Sequence, residues 1–133
     1  EDESKPLKAS PSPPAYIQSD NSEWGLPPPD LIDSLVGIYF ATIHPWIPIL
    51  HVRGFREQMR DPAKRPDLST IFHAIVSVCV RFSTDPRVSD PDIRARYSKC
   101  SRQMVILQSM EAFSVRNLQA MIIIAFDSVC ASH

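Results

Sequence analysis

Two histidines, His44 and His51, bracket a stretch stiffened by two prolines, His44-Pro45-Trp46-Ile47-Pro48-Ile49-Leu50-His51. If the fold brought them together they could hold a metal ion, but zinc takes three or four ligands and no third stands nearby in sequence. The preferred reading has each imidazole satisfying a backbone carbonyl at a helix end. His73 and Cys79 are the residue types of a base and a thiol nucleophile, yet six residues at 100° apiece set them roughly 120° apart around a helix, too far round to pair. A more distant base such as His51 is the catalytic alternative, against inert packing of a thiol inside an apolar stripe. Arg94, Arg96, Lys99 and Arg102 could meet phosphates, but they point to about 0°, 200°, 140° and 80° around a helix, which reads as a solvated face. Tyr39, Phe40, Trp46, Phe72, Phe82 and Phe126 could line a small-molecule cavity, although aromatics at helical spacing more often build a core. There is no glycine-rich phosphate loop and no Gly-x-Ser-x-Gly elbow. The chain therefore reads as a non-enzyme, with no catalytic residue, no metal ligand, no DNA-contacting residue and no cofactor of its own.

The elements that position these residues follow from periodicity and punctuation. The first 29 residues hold seven of the thirteen prolines, mixed with serine and charge. Such a segment buries too little to offset its ordering entropy and is expected to be an extended, mobile, disordered tail or linker. One folded unit over 30–133 is the ceiling that 133 residues with 44% apolar content allow. Helix one is expected from about Asp30 to Ile43, burying Ile32, Leu35, Val36, Tyr39 and Ile43. It stops at His44 because the residue before a proline is pushed out of the α region. The connector that follows, His44, Pro45, Trp46, Pro48, His51 and Phe55, is expected to be buried and to organise the core.

A short helix over Phe55–Arg60 and an exposed loop around Pro62 and Pro66 come next. Helix two, capped by Asp67 or Ser69, runs to Phe82 with Leu68, Ile71, Phe72, Ile75, Cys79 and Phe82 inward, and its width of apolar surface makes it central. Helix three, about Pro91–Met110 with Asp90 as its cap, turns Ile93, Tyr97, Cys100, Met104 and Leu107 inward. Ser114 caps helix four, whose expected stripe is Val115, Leu118, Ile122, Ala125, Phe126 and Val129. Met121, Ile123 and Ile124 complete an apolar belt and are the candidate partner surface, where lysine at 123 or 124 is expected to be tolerated. Three glycines and the lack of paired alternating runs exclude a sheet. The fold class is all-α, an irregular bundle of about four longer helices plus a short one behind a Pro/Ser-rich tail.

Charge and cysteine usage narrow the function classes. Residues 1–29 carry five acids and two lysines, and the rest ten acids and twelve bases, so neither part has the basic excess of a nucleic-acid binder. Cys79, Cys100 and Cys130 are odd in number and sit in apolar patterns, which reads as free thiols in an intracellular, reducing compartment. No apolar run is long enough for a membrane span, and Glu1-Asp2-Glu3 is the wrong start for a signal peptide.

Several short motifs together carry a resemblance. They are Leu26-Pro27-Pro28, Leu35, Tyr39-Phe40, His44-Pro45-Trp46-Ile47-Pro48-Ile49-Leu50-His51, Phe55, Ala74-Ile75, Arg81-Phe82-Ser83, Ser114-Val115 and Leu118-Gln119-Ala120. Their order and spacing resemble the opening part of the fungal-specific transcription factor regulatory domain, the middle homology region of zinc binuclear cluster factors. The resemblance implies a nuclear, helical module that controls transcription through an effector or a protein contact. It also implies that zinc and DNA binding belong to a separate cluster domain with six cysteines, so that DNA is reached only indirectly. The partner would be another protein, the remainder of a longer regulatory domain or a small-molecule effector. A stand-alone interaction module that packs on a full-length relative is the alternative.

Overall fold

The computed structural model describes residues 25–131; the expectation of a disordered tail over 1–29 falls mostly outside that range. Five helices follow one another: α1 Pro29–Thr42, α2 Val52–Arg60, α3 Ser69–Cys79, α4 Pro91–Glu111 and α5 Val115–Ala131. No strand occurs among the described residues, and the all-α bundle expected from the sequence is what forms.

The hub is α3. All ten residues from Thr70 to Cys79 are buried, and α3 packs against α1, α4 and α5. A helix apolar all round needs neighbours on every side. Its N-terminus is not capped by Asp67 or Ser69. A 3-10 turn over Arg65–Leu68 runs straight into it, and the Ser69 N–H donates to the Pro66 carbonyl, which satisfies a donor that a side chain would otherwise take. At the other end the helix tightens at Val80–Phe82, and Phe82, expected inside, is exposed with the Arg81 guanidinium 4.8 Å from its ring centre.

Helix α1 keeps its expected stripe: Ile32, Leu35, Val36, Tyr39 and Ile43 are buried. Its entry is tied down electrostatically, because Arg87 donates to both oxygens of Asp30 (3.2 and 2.9 Å) and to both of Asp85 (3.0 and 2.8 Å). The Arg87 side chain, with its own backbone N–H donating to Asp85 Oδ1, holds the Asp85 carboxyl down at about 2. A carboxylate depressed below its ordinary ~3.9 contributes stability that is complete above that value and is lost as pH falls toward 2. NMR titration is expected to place Asp85 near 2, and Arg87→Ala to raise it toward the ordinary range.

Two inward faces differ from the periodic expectation. In α4 the buried positions are Tyr97, Ser101 and Val105, while Leu107, expected inside, is exposed and Ile93, Cys100 and Met104 are half-buried. The reason is a polar seam toward α3. Ser101 Oγ and His73 Nδ1 lie 3.2 Å apart in the core, Ser98 Oγ donates to the Ser77 carbonyl (2.8 Å), and Thr70 Oγ1 donates to Gln108 Oε1 (2.7 Å). Small hydroxyl side chains let the two backbones approach and pair their own polarity across the seam. In α5 the buried positions are Ala120, Ile123, Ile124 and Asp127. The expected stripe of Val115, Leu118 and Val129 faces outward, with Ala125 exposed and Ile122 and Phe126 half-buried. The Ser114 cap is present, its Oγ accepting from the Asn117 N–H at 3.0 Å.

Candidate functional site

The connector between α1 and α2 is not the buried organiser that its aromatic content implies. Trp46 is 79% exposed, and Pro45, Pro48 and His51 are exposed as well. The chain makes one more turn after α1, with the Trp46 and Ile47 N–H groups donating to the Ile43 carbonyl (2.9 and 3.2 Å). That turn aims Trp46 outward and leaves Ile43, Leu50 and Phe55 to carry the packing. Trp46 is therefore a surface aromatic, and its truncation is expected to cost little stability.

His44 and His51 do line one shallow cleft, with Pro48, Leu50, Val52 and Arg53. Neither satisfies a carbonyl as expected. His51 Nδ1 accepts from the Gly54 N–H at 3.0 Å and caps α2. A Cβ at Gly54 would itself meet that nitrogen at 3.0 Å, so the missing side chain makes room for the cap. His44 Nδ1 is buried with no hydrogen-bond partner among the described residues, its ring edge-on to Phe40 at 5.3 Å. No group of three His, Cys, Asp or Glu side chains able to hold a metal ion occurs among the described residues.

The aromatics build a ladder in the core rather than a cavity wall. Tyr39, Phe40, Phe55 and Phe72 meet edge to face, with ring centres 5.3, 5.9 and 6.0 Å apart in succession. Two arginines seal its outer side, Arg56 over Phe40 and Arg65 over Phe72, each 5.0 Å from the ring centre, contacts that are favourable when the ring faces are partly desolvated.

Cys79 is buried beside this ladder's helix, and burial pushes its thiol up to about 12. A thiol held protonated is a poor nucleophile. Cys130 is exposed and Cys100 half-buried. Alkylation in the native state is therefore expected at Cys130 first and at Cys79 only after unfolding, which peptide mass mapping with and without denaturant checks. Equal native labelling of Cys79 would contradict its burial.

The basic residues of α4 do more than face solvent. Arg94 donates to the carbonyls of Arg81 (3.0 Å) and Ser89 (3.3 Å). Arg102 donates to Ser128 Oγ (3.0 Å) and, at 3.5 Å, to Asp127. Asp127 is 3% exposed and takes its closest partner from Arg81 at 2.6 Å. A carboxylate that is out of water needs such partners. This clamp ties α5 to α4 and to the end of α3. A lone acid inside an otherwise apolar run was the sequence signal for it.

The candidate partner surface moves. Ile123 is 0% exposed and Ile124 5%, so both belong to the core, against the expectation for that belt. Only Met121 borders open apolar surface. That surface lies where α4 turns into α5, in a cleft that Ile106, Met110, Phe113, Leu118 and Met121 help to line. Met110 and Phe113 are 79% and 93% exposed. Apolar side chains exposed side by side in one cleft mark a candidate contact surface. Met110 lies at the end of a helix and Phe113 in the turn after it, so helical periodicity assigned neither a face.

No helix among the described residues is long and apolar enough to cross a membrane. A stretch of 43 residues is 42% identical to cutinase transcription factor 1 alpha of Fusarium vanettenii; it covers 32% of this chain and 5% of that protein. The chain thus matches a small part of a much longer curated relative. No family model matches the chain. No solved structure matches it.

Proposed function

We propose that this chain is a regulatory, non-DNA-contacting module of a fungal transcription factor of the zinc binuclear cluster type. It controls transcription through a protein contact made on the apolar face between α4 and α5. The observation that carries the reading is that face: Ile106, Met110, Phe113 and Leu118 are all exposed and line one cleft where α4 turns into α5. Its partner is the remainder of a longer regulatory domain or a separate regulator, and a small-molecule effector would act by changing that contact. Zinc and DNA are the work of a cluster domain elsewhere in the parent protein. The module itself runs no reaction, a reading that the protonated, buried Cys79 thiol supports.

Tethering tests it. Fused to a heterologous DNA-binding module in a fungal reporter strain, the chain is expected to change transcription several-fold relative to the module alone. Met110→Lys with Phe113→Lys is expected to return it to baseline while leaving the thermal midpoint of the purified chain unchanged. No change on tethering, or retardation of a DNA duplex by the purified chain at physiological salt, would overturn the proposal.

A further inference from the structure

Arg53, Arg56 and Arg60 stand at i, i+3 and i+7 on α2, which at 100° per residue places them within about 60° of arc. Like charges one turn apart on a helix repel, and none of the three forms an ion pair among the described residues. Two of them open into a cleft of about 260 Å³, where Arg56 and Arg60 meet Met59, Asp33 of α1 and Arg65 from the turn before α3. The walls are set before any ligand arrives. Arg56 lies over the Phe40 ring, and Arg65 lies over Phe72 while donating to the Met59 carbonyl (3.2 Å) and to Asp33 Oδ1 (3.4 Å). Both arginines are half-buried, and a guanidinium already held against a ring has less freedom to lose on binding than a solvated one.

Charge and size narrow the ligand. Three guanidiniums and one carboxylate leave the cleft two positive charges, and because Asp33 is paired with Arg65 these fall to Arg56 and Arg60. The two stand four residues apart, with about 5–6 Å between their Cβ atoms, a span that one compact ligand can bridge. Planar guanidiniums take the oxygens of a carboxylate or a phosphate two at a time. The cleft is smaller than the roughly 300–1,000 Å³ of pockets for drug-sized molecules, which favours a ligand of few atoms. A nucleic acid, with a charge about every 1.7 Å along the duplex, rewards an unbroken basic surface, and Asp33, Glu57 and Asp61 interrupt this one. None of the residues that line the cleft belongs to the apolar face between α4 and α5.

We infer that the cleft between α1 and α2 binds a small dianion, a dicarboxylate or a phosphate monoester, held by Arg56 and Arg60 beside the Asp33-fixed Arg65. Since α1 and the turn before α3 share the cleft with α2, an occupied cleft fastens α2 to the rest of the bundle.

NMR titration of the full chain tests this in about 0.15 M NaCl, where screening suppresses diffuse attraction. The probes are inorganic phosphate and succinate, with acetate as the monoanion. At least one dianion is expected to move the Arg56 and Arg60 Nε–H signals and the Met59 methyl saturably, with a dissociation constant of about 1 mM or below. Acetate is expected to bind about tenfold more weakly or worse, and the tighter of the two dianions assigns the ligand class. Arg60→Ala should weaken binding about tenfold, whereas Arg53→Ala, on the same helix face but outside the cleft, should change it less than about twofold. Asp33→Asn leaves the cleft one positive charge richer and is expected to tighten binding severalfold, a gain that a misfolded variant could not show. Shifts that never saturate and are matched by NaCl would overturn the inference, as would equal weakening by Arg53→Ala and Arg60→Ala, or no tightening in Asp33→Asn. So would a DNA duplex bound more tightly than either dianion and weakened alike by Arg53→Ala and Arg60→Ala, which would make the whole face a reader of the phosphate backbone.

Discussion

Ile123→Lys is expected to unfold the protein. The side chain is fully buried on α5, and α5 packs directly on α3, the hub of the bundle, and on α4. The substitution removes a large aliphatic group whose burial is worth about 1.5–3 kcal/mol and asks an ammonium to leave water, at several kcal/mol more. The nearest buried acid, Asp127, is already engaged by Arg81 and Arg102. The sum is a large share of the roughly 5–15 kcal/mol that holds an ordinary domain together. Far-ultraviolet circular dichroism is expected to show loss of helix at 25 °C, or at least a midpoint lowered by well over ten degrees. Phe113→Lys, at 93% exposure, is the control and should leave the spectrum and midpoint alone. A cooperative, native-like Ile123→Lys chain would place α5 the other way round, with its outward stripe turned in.

The second large effect is expected at the aromatic ladder. Phe72→Ala removes the ring on which Phe55 packs edge to face at 6.0 Å and over which Arg65 lies. Core aromatic truncations cost about 3–5 kcal/mol, and here the cation–π contact is lost as well. Urea unfolding should give a midpoint far below that of the unaltered chain with a similar slope, the mark of a change in stability rather than in compactness. Trp46→Ala in the same assay should stay within about 0.5 kcal/mol of neutral. Equal losses for the two substitutions would mean that the connector is buried after all.

The contrast between these two aromatics shows how far the sequence could be read. Helix existence and order were legible because amphipathic spacing and punctuation agree, as at Pro29–Thr42, where the buried stripe is the periodic one, and at the Ser114 cap. Trp46 was misjudged because hydrophobic size was read without direction: a single extra turn after α1 decides which way the ring points, and composition carries no record of that turn. The inward faces of α4 and α5 were misjudged for a different reason. Ser101 and Asp127 are polar and fall outside the periodic apolar stripes, yet both are buried with hydrogen-bonding partners brought in by other helices, His73 for one and Arg81 and Arg102 for the other. Pairings of that kind arise from tertiary structure, and even the lone acid in an apolar run at Asp127 does not name its partners. The proposed contact surface was not legible: the expected one at Ile123 and Ile124 is buried, and the exposed apolar residues Met110 and Phe113 lie where α4 stops.

Asp127 has a meaning for the unfolded chain too. Met121 to Phe126 is an unbroken apolar run of the length and character that seeds intermolecular sheet when it is unprotected. The carboxylate that follows it acts as a gatekeeper, placing a hydrated charge at the end of the run for as long as the chain is open. In the folded protein that same charge is taken up by Arg81 and Arg102, so one side chain has a part in both the open chain and the closed bundle. Neutralising it would expose the nascent chain to aggregation before the folded state could suffer.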